Sequence, residues 1–251
     1  KRMIEAAALK GIDEVFGWHN WPAIPFGKAV CPDGAIMAGN GTFRITVKGS
    51  GGHASQPERA RDPVLAAAAI TVALQQIVSR RLAPQHAAVV SVTSIDAKSF
   101  DTVIRDDAIV GGSIRLTHAS DREPINALIE EIATATARAH GVEAETEIFP
   151  RYDATVNHAG PAADMRAALA DELGEHWHDD TIPVPIMASE DFSYYLKEVP
   201  GAFALIGSDD GHAKHAEPCH SPRYDFNDHL IPVVSRVFAR LAGSPLPEPH
   251  D

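Results

Sequence analysis

The chain has 251 residues, with 22 Lys and Arg against 34 Asp and Glu, for a formal net charge of −12. That length suits one large domain or two modest ones, and 45% hydrophobic residues are enough for a packed core. The acidic balance disfavours nucleic-acid binding by phosphate neutralisation, and no apolar run reaches the ~20 residues a membrane span needs.

Residues 1–10 read as a helix already under way, with Met3, Ile4, Ala7 and Leu9 among polar residues and Gly11 as its C-cap. There is no initiator Met, so the reading implies residues upstream and a chain cut from a larger protein. The apolar run at 14–18 reads as a buried strand, ended by a turn at Gly17-Trp18-His19-Asn20-Trp21-Pro22. Phe43, Ile45 and Val47 alternate with polar residues, as a half-buried strand does, and lead into the glycine-rich stretch 49–54. Asp62-Pro63 opens a helix whose inward stripe is Ala67, Ile70, Leu74 and Ile77, with Arg80 and Arg81 at its C-terminal end. Strands follow near 88–95 and 108–116. Ser120-Asp121-Arg122-Glu123 reads as a capping box for a helix facing inward through Ile125, Leu128, Ile129 and Ile132. Residues 143–149 alternate again.

The order β-α-β-β-α-β over 42–151 is that of a ferredoxin-like α+β unit, an antiparallel sheet with two helices on one face. It predicts an inserted domain between two outer pieces, 1–41 and 152–251, which read as parts of an α/β domain. In the second outer piece, 161–173 is a helix with Met165, Leu169 and Leu173 inward. Ser189 caps a short helix, 202–206 is a strand, and Asp228 opens a last helix bearing Leu230, Val233, Val234, Val237, Phe238 and Leu241. The Pro-rich tail 244–251 reads as loose.

Cys31 and Cys219 are too far apart in sequence for a metal knuckle and too few for a disulfide framework, so they read as reduced thiols of a cytoplasmic protein. The 13 histidines say more. His19, held at a strand end between Trp18 and Trp21, either packs there or ligates a metal. His220, between Pro218 and Pro222, shares its loop with His212, His215 and Cys219, which is either a solvated polar loop or a metal cluster. His53 follows glycines that let backbone approach a ligand. The same loop offers a weaker phosphate-binding alternative, and with it a nucleotide-binding protein. It lacks the Lys-Ser/Thr that would follow. Glu190, with Asp191, is either a favourable charge at a helix start or a carboxylate in a site wall.

In series, GWHNWP (17–22), PDGAIMAG (32–39), FRITVKGSGGHASQP (43–57) with DP (62–63), SEDFSYY (189–195) and HSPRYDFND (220–228) resemble the metal-dependent amidohydrolases. These are the aminoacylases, hippurate hydrolases and plant indole-acetyl-amino-acid hydrolases, relatives of carboxypeptidase and succinyl-diaminopimelate desuccinylase. The resemblance spans nearly the whole chain. It implies a catalytic domain with two divalent metal ions (Zn, Mn or Co) and an inserted lid domain that also forms a homodimer. His19 and His220 would be metal ligands and Glu190 a substrate-facing carboxylate. His53 would be the lid histidine that stabilises the oxyanion, commonly in the partner subunit's site, and Arg115 would face the substrate from the lid.

The implied reaction is amide cleavage of an N-acyl amino acid by a metal-activated water. The family's upstream Cys/His ligand motif and Glu-Glu pair have no counterpart here. The expectation is therefore a chain that by itself holds metal poorly and is inactive. The alternative is a non-catalytic dimerisation or binding remnant. The family's Asn-Val-Ile-Pro-Asp is replaced by Thr102-Val103-Ile104-Arg105-Asp106, which bears on substrate identity.

Overall fold

A computed structural model of the chain describes residues 1–246. In chain order the elements are α1 (Arg2–Glu5), β1 (Val15–Pro25), β2 (Ala29–Val30), β3 (Gly34–Met37), β4 (Gly39–Lys48), β5 (Gly52–His53), α2 (Pro63–Leu74), β6 (Ala88–Asp96), β7 (Val103–Ile104) and β8 (Asp107–Leu116). Then come α3 (Arg122–Ala139), β9 (Glu143–Pro150), β10 (Thr155–Asn157), α4 (Ala159–Leu173), α5 (Ser193–Glu198), β11 (Gly201–Asp209) and α6 (Leu230–Leu241). The fold is mixed α/β. It divides into two compact units, one of residues 1–37 and 155–251, the other of residues 38–154. None of the helices among the described residues is long and apolar enough to cross a membrane. Most of the Pro-rich tail read as loose lies outside the described residues.

In the 38–154 unit the sheet order is β6-β8-β4-β9, all antiparallel, the order of a split βαβ unit. In β8 every second residue is buried. Those residues meet the stripes of α2 and α3 in one core containing Phe43, Ile45, Ile70, Leu74, Ile114, Ile125 and Ile129. Asp62 caps α2 as expected, accepting from the Val64 and Leu65 amides at 2.8 and 3.2 Å. After Leu74 the chain widens into a π-type turn at Ile77–Arg81. The capping box at α3 does not form. A 3-10 turn, Ala119–Asp121, precedes the helix, and Asp121 at the N-cap makes no capping bond.

In the other unit β1 runs parallel to β11, and β2 pairs antiparallel on its far side, while β3 pairs with β10. β11 is covered on both faces. Ala202, Ala204 and Ile206 meet Met165, Leu169 and Val237, and Phe203 and Leu205 meet Ile24, Ile36 and Met37. Buried Asn157 ties β10 to β11, accepting from the Phe203 amide at 2.7 Å and donating to its carbonyl at 2.9 Å.

Three expected boundaries move. The N-terminal helix is only four residues long and buries none of them; with no packed face, so short a helix is barely stable. Ser189 does not stand at the N-cap of the short helix, which starts at Ser193 behind Phe192. The strand read at 14–18 runs on to Pro25 through the segment read as a turn, because parallel pairing with β11 overrides local turn propensity.

Candidate metal centre

His19 therefore stands inside β1, opposite Leu205 of β11, rather than after the strand's end. His220 lies in a turn-rich loop closed by the Ser221 amide on Pro218 O at 2.8 Å and the Tyr224 amide on Ser221 O at 3.1 Å. The same loop is braced by Arg223 Nε donating to Glu217 at 2.8 Å. Asn20 fastens the loop to β1. Its side-chain amide donates to Cys219 Sγ at 3.4 Å and to the Tyr224 hydroxyl, and the Cys219 thiol lies 3.7 Å from Asn20 O. Each imidazole is the sequence neighbour of one end of that tie. His19, Glu190 and His220 line one cavity of about 320 Å³, with apolar walls from Trp21, Pro22, Met37 and Pro218.

His19 Nδ1 lies 2.7 Å from Asn20 O. An N–H donated there leaves the lone pair on Nε2, the usual state of a metal-binding imidazole. Burial pushes the Glu190 carboxyl up, and the neighbouring Asp191 carboxylate adds to the rise, while His19 works against it. Burial also raises the Cys219 thiol against the Asn20 hydrogen bond, and burial pushes Cys31 up to about 12. Both cysteines are unpaired. Two imidazoles and a carboxylate are the donor types a borderline divalent cation takes, so the chemistry fits. The set is not closed, however. Among the described residues the one cluster whose donor atoms all lie within 4.8 Å is His86, His118 and Asp121, in the other unit. Elsewhere in the His220 loop, His215 pairs with Asp210 at 2.9 Å.

His53 and Arg115 belong to the 38–154 unit. His53 is exposed at the end of β5, opposite Val103 of β7. Its Nδ1 accepts from the Ser55 amide at 3.1 Å, with Ser55 Oγ at 2.7 Å. In the neutral ring the proton is then on Nε2, which leaves a donor. Arg115 stands on β8 opposite Asn40 and Val89, in the sheet row that the α2 and α3 core does not cover. Thr102 O accepts from the Ala54 amide at 2.9 Å, so the departure from the family pattern lies in the ribbon that holds His53. Arg105 donates to Lys98 O at 2.8 Å and Asp107 at 2.9 Å.

The glycines beside His53 serve packing. A Cβ on Gly51 would sit 2.3 Å from Ile104 O. The Gly51 amide donates to Asp106 Oδ1 at 2.7 Å, the Gly49 amide to Asp106 O at 2.7 Å, and the Ser50 amide to Arg61 O at 3.0 Å. With those donors taken and a carboxylate already in place, the loop is not built to hold phosphate. Sequence reasoning missed Asn20 and Tyr224. A polar residue directly after His19 in a strand, and a tyrosine four residues after His220, were the available signals.

The profile of Peptidase family M20/M25/M40 matches residues 1–244. The IAA-amino acid hydrolase ILR1-like 2 of Arabidopsis thaliana is 34% identical over 96% of this chain and 55% of its own length. The hippurate hydrolase of Campylobacter jejuni is 34% identical over 96% of this chain and 62% of its own. A Bacillus subtilis crystal structure described as a dinuclear metal binding peptidase from the M20 family superposes with a TM-score of 0.77, at 28% identity, over 96% of this chain and 59% of that one. The chain thus spans somewhat over half the length of the relatives it matches. The match across nearly the whole chain places it in the M20 peptidase family.

Proposed function

We propose that this chain carries the lid and part of the catalytic centre of a metal-dependent amidohydrolase that cleaves N-acyl amino acids. The observation carrying the reading is the meeting of His19, Glu190 and His220 on one cavity wall, from positions two hundred apart in sequence. The relatives named as hydrolases of hippurate and of IAA-amino acids support the substrate class. His19 through Nε2 and His220 would hold divalent metal, with the remaining ligands and the general base supplied from outside these 251 residues. When bound, the metal polarises the amide carbonyl and acidifies a water.

The chain's own residues do the rest. Asn20 O keeps the His19 proton on Nδ1. Trp21, Pro22 and Met37 give the acyl group a dry wall. Glu190 faces the substrate from the same wall. Ser55 keeps the His53 proton on Nε2, where it serves the oxyanion, and Arg115 takes the carboxylate of the amino-acid half. The products are a carboxylate and a free amino acid. The inserted unit acts as lid and as the contact of a homodimer, in the cytoplasm.

The test is turnover of a panel of N-acyl amino acids by the complete protein with added Mn, Co or Zn. His19→Ala or His220→Ala should lower kcat/KM at least ~100-fold, the upper end of what loss of a ligand's outer partner costs. His53→Ala should lower kcat ~10²–10³-fold, as loss of one oxyanion donor does. No turnover of any acyl amino acid, or full activity without His19 and His220, would leave the non-catalytic binding module standing instead.

A further inference from the structure

The 38–154 unit holds a second histidine pair that the proposed reaction leaves unused. His86 sits in the turn before β6, its amide on Ala83 O at 2.9 Å, and His118 follows β8. Asp121 closes the 3-10 turn into α3, its amide on His118 O at 3.1 Å. The two imidazoles stack, with centroids 4.4 Å apart and planes 17° from parallel. They share one carboxylate. His86 Nδ1 lies 2.9 Å from Asp121 Oδ1, and His118 Nδ1 lies 4.0 Å from Oδ2.

That carboxylate is placed at a cost. The sequence puts Asp121 where a helix cap belongs, and its side chain caps nothing. Its side chain is only 8% exposed, and Oδ2 is buried without a hydrogen-bond partner. A buried acceptor is normally satisfied. The 4.0 Å gap to His118 Nδ1 is too long for a hydrogen bond, so that oxygen faces the second imidazole unpaired.

We propose that His86, His118 and Asp121 bind a divalent borderline cation such as Zn²⁺, through one atom each, with solvent completing the coordination. The donor atoms already lie within 4.8 Å of one another. Tetrahedral coordination wants roughly 3.3–3.5 Å between them, from bonds of ~2.0–2.1 Å. His86 and His118 side chains are 35% and 51% exposed, so rotation closes the gap without disturbing the core. Thr117 Oγ1 donates to Ala87 O at 3.0 Å and so accepts from His118 Nδ1, also at 3.0 Å. When Nδ1 of either ring takes the metal, its proton passes through solvent to Nε2. Imidazole nitrogen selects Zn²⁺, Ni²⁺ or Cu²⁺ over Mg²⁺ and Ca²⁺, which want oxygen.

The experiment is calorimetric titration of Zn²⁺, repeated with Co²⁺ and read by its visible absorption. The protein carries His19→Ala and His220→Ala, so that the other cavity is silent. One equivalent should bind. Adding His118→Ala or Asp121→Asn should weaken it at least ~10-fold, while Mg²⁺ gives no heat. In the unsubstituted chain His118→Ala should remove one Zn²⁺ equivalent, a comparison that holds even if the double variant folds poorly. Absence of Zn²⁺ binding, or affinity within twofold after His118→Ala, overturns the proposal. The readout is binding alone, so its failure leaves the hydrolase reading untouched, and failure of turnover leaves this site untouched.

Discussion

Every second residue of β8 is buried, whereas β11 buries eight in a row and its parallel neighbour β1 is only half-buried from Val15 to Trp21. The first is a sheet with one covered face, where the pattern of the chain names the face. The second is a strand covered on both sides beside a strand covered on neither fully, where alternation carries no signal. The 38–154 unit completes its core from its own two helices. The difference predicts unequal sensitivity to truncation. Ile129→Ala, at a fully buried position, should cost ~2–5 kcal/mol in denaturant melts. Val15→Ala, half-buried on β1, should cost about 1 kcal/mol, from ~0.8 kcal/mol per buried methylene at partial burial. Equal losses would break the comparison.

A sharper form of the same contrast lies in one glycine. Gly112 sits on the covered face of β8, and a Cβ there would meet Phe43 Cζ at 2.1 Å and Ser91 O at 2.6 Å. The Phe43 ring fills the space that a side chain at Gly112 would need. Gly112→Ala should therefore destabilise the unit by ~1–3 kcal/mol, the usual cost of overpacking, and Phe43→Leu in the same chain should recover part of it. A neutral Gly112→Ala would mean that this face is less tightly filled than its burial indicates.

The same two regions explain what the sequence could reveal. Phe43, Ile45, Val47, Ile70, Leu74, Ile125 and Ile129 were legible as core, because periods of 2 and 3.6 each point them at one face; all seven are buried. Asp62 was legible as a cap because the partners of a cap are local amides. His19 was legible as a candidate, but its place was not. Parallel pairing with a strand almost two hundred residues away decides where β1 ends, and no local pattern encodes that. Glu190 was read on a helix that begins later, and the capping box read at 120–123 does not form, the Asp121 carboxylate facing His86 instead. At Asp121 a local capping rule lost to a contact distant in sequence. The tie from Asn20 to Cys219 and Tyr224, which brings the two candidate ligands to one wall, was invisible for the same reason.

Where a local rule does hold, its worth can be measured. Asp62→Ala removes the acceptor for two amides of α2 and should lower stability by about 1 kcal/mol. Asp121→Ala should lack any capping loss, because that side chain caps nothing. A capping loss at Asp121 as large as at Asp62 would show that the helix start, rather than the histidine pair, holds that carboxylate.

The smallest effect expected is at Glu190, and it separates the cavity from the packed unit by its pH dependence. Burial, with help from Asp191, holds the Glu190 carboxyl above its ordinary value in the folded chain. The folded state then keeps the proton more tightly than the unfolded state does. Its contribution favours folding while both states are protonated, and it is lost as pH rises from the ordinary carboxylate range through the raised folded value. Glu190→Gln, which cannot ionise, should melt slightly higher than the parent above that window, with the gap closing below it, in chelator-treated protein. Zinc should reverse the order. A cation beside Glu190 favours the ionised form, so at neutral pH the parent should gain more from zinc than the glutamine variant does. To keep the His86 cluster from contributing, both chains carry His118→Ala. A gap between parent and variant that stays constant across pH, with or without zinc, would mean that Glu190 does not sense the cavity at all and is only a charge at the approach to α5.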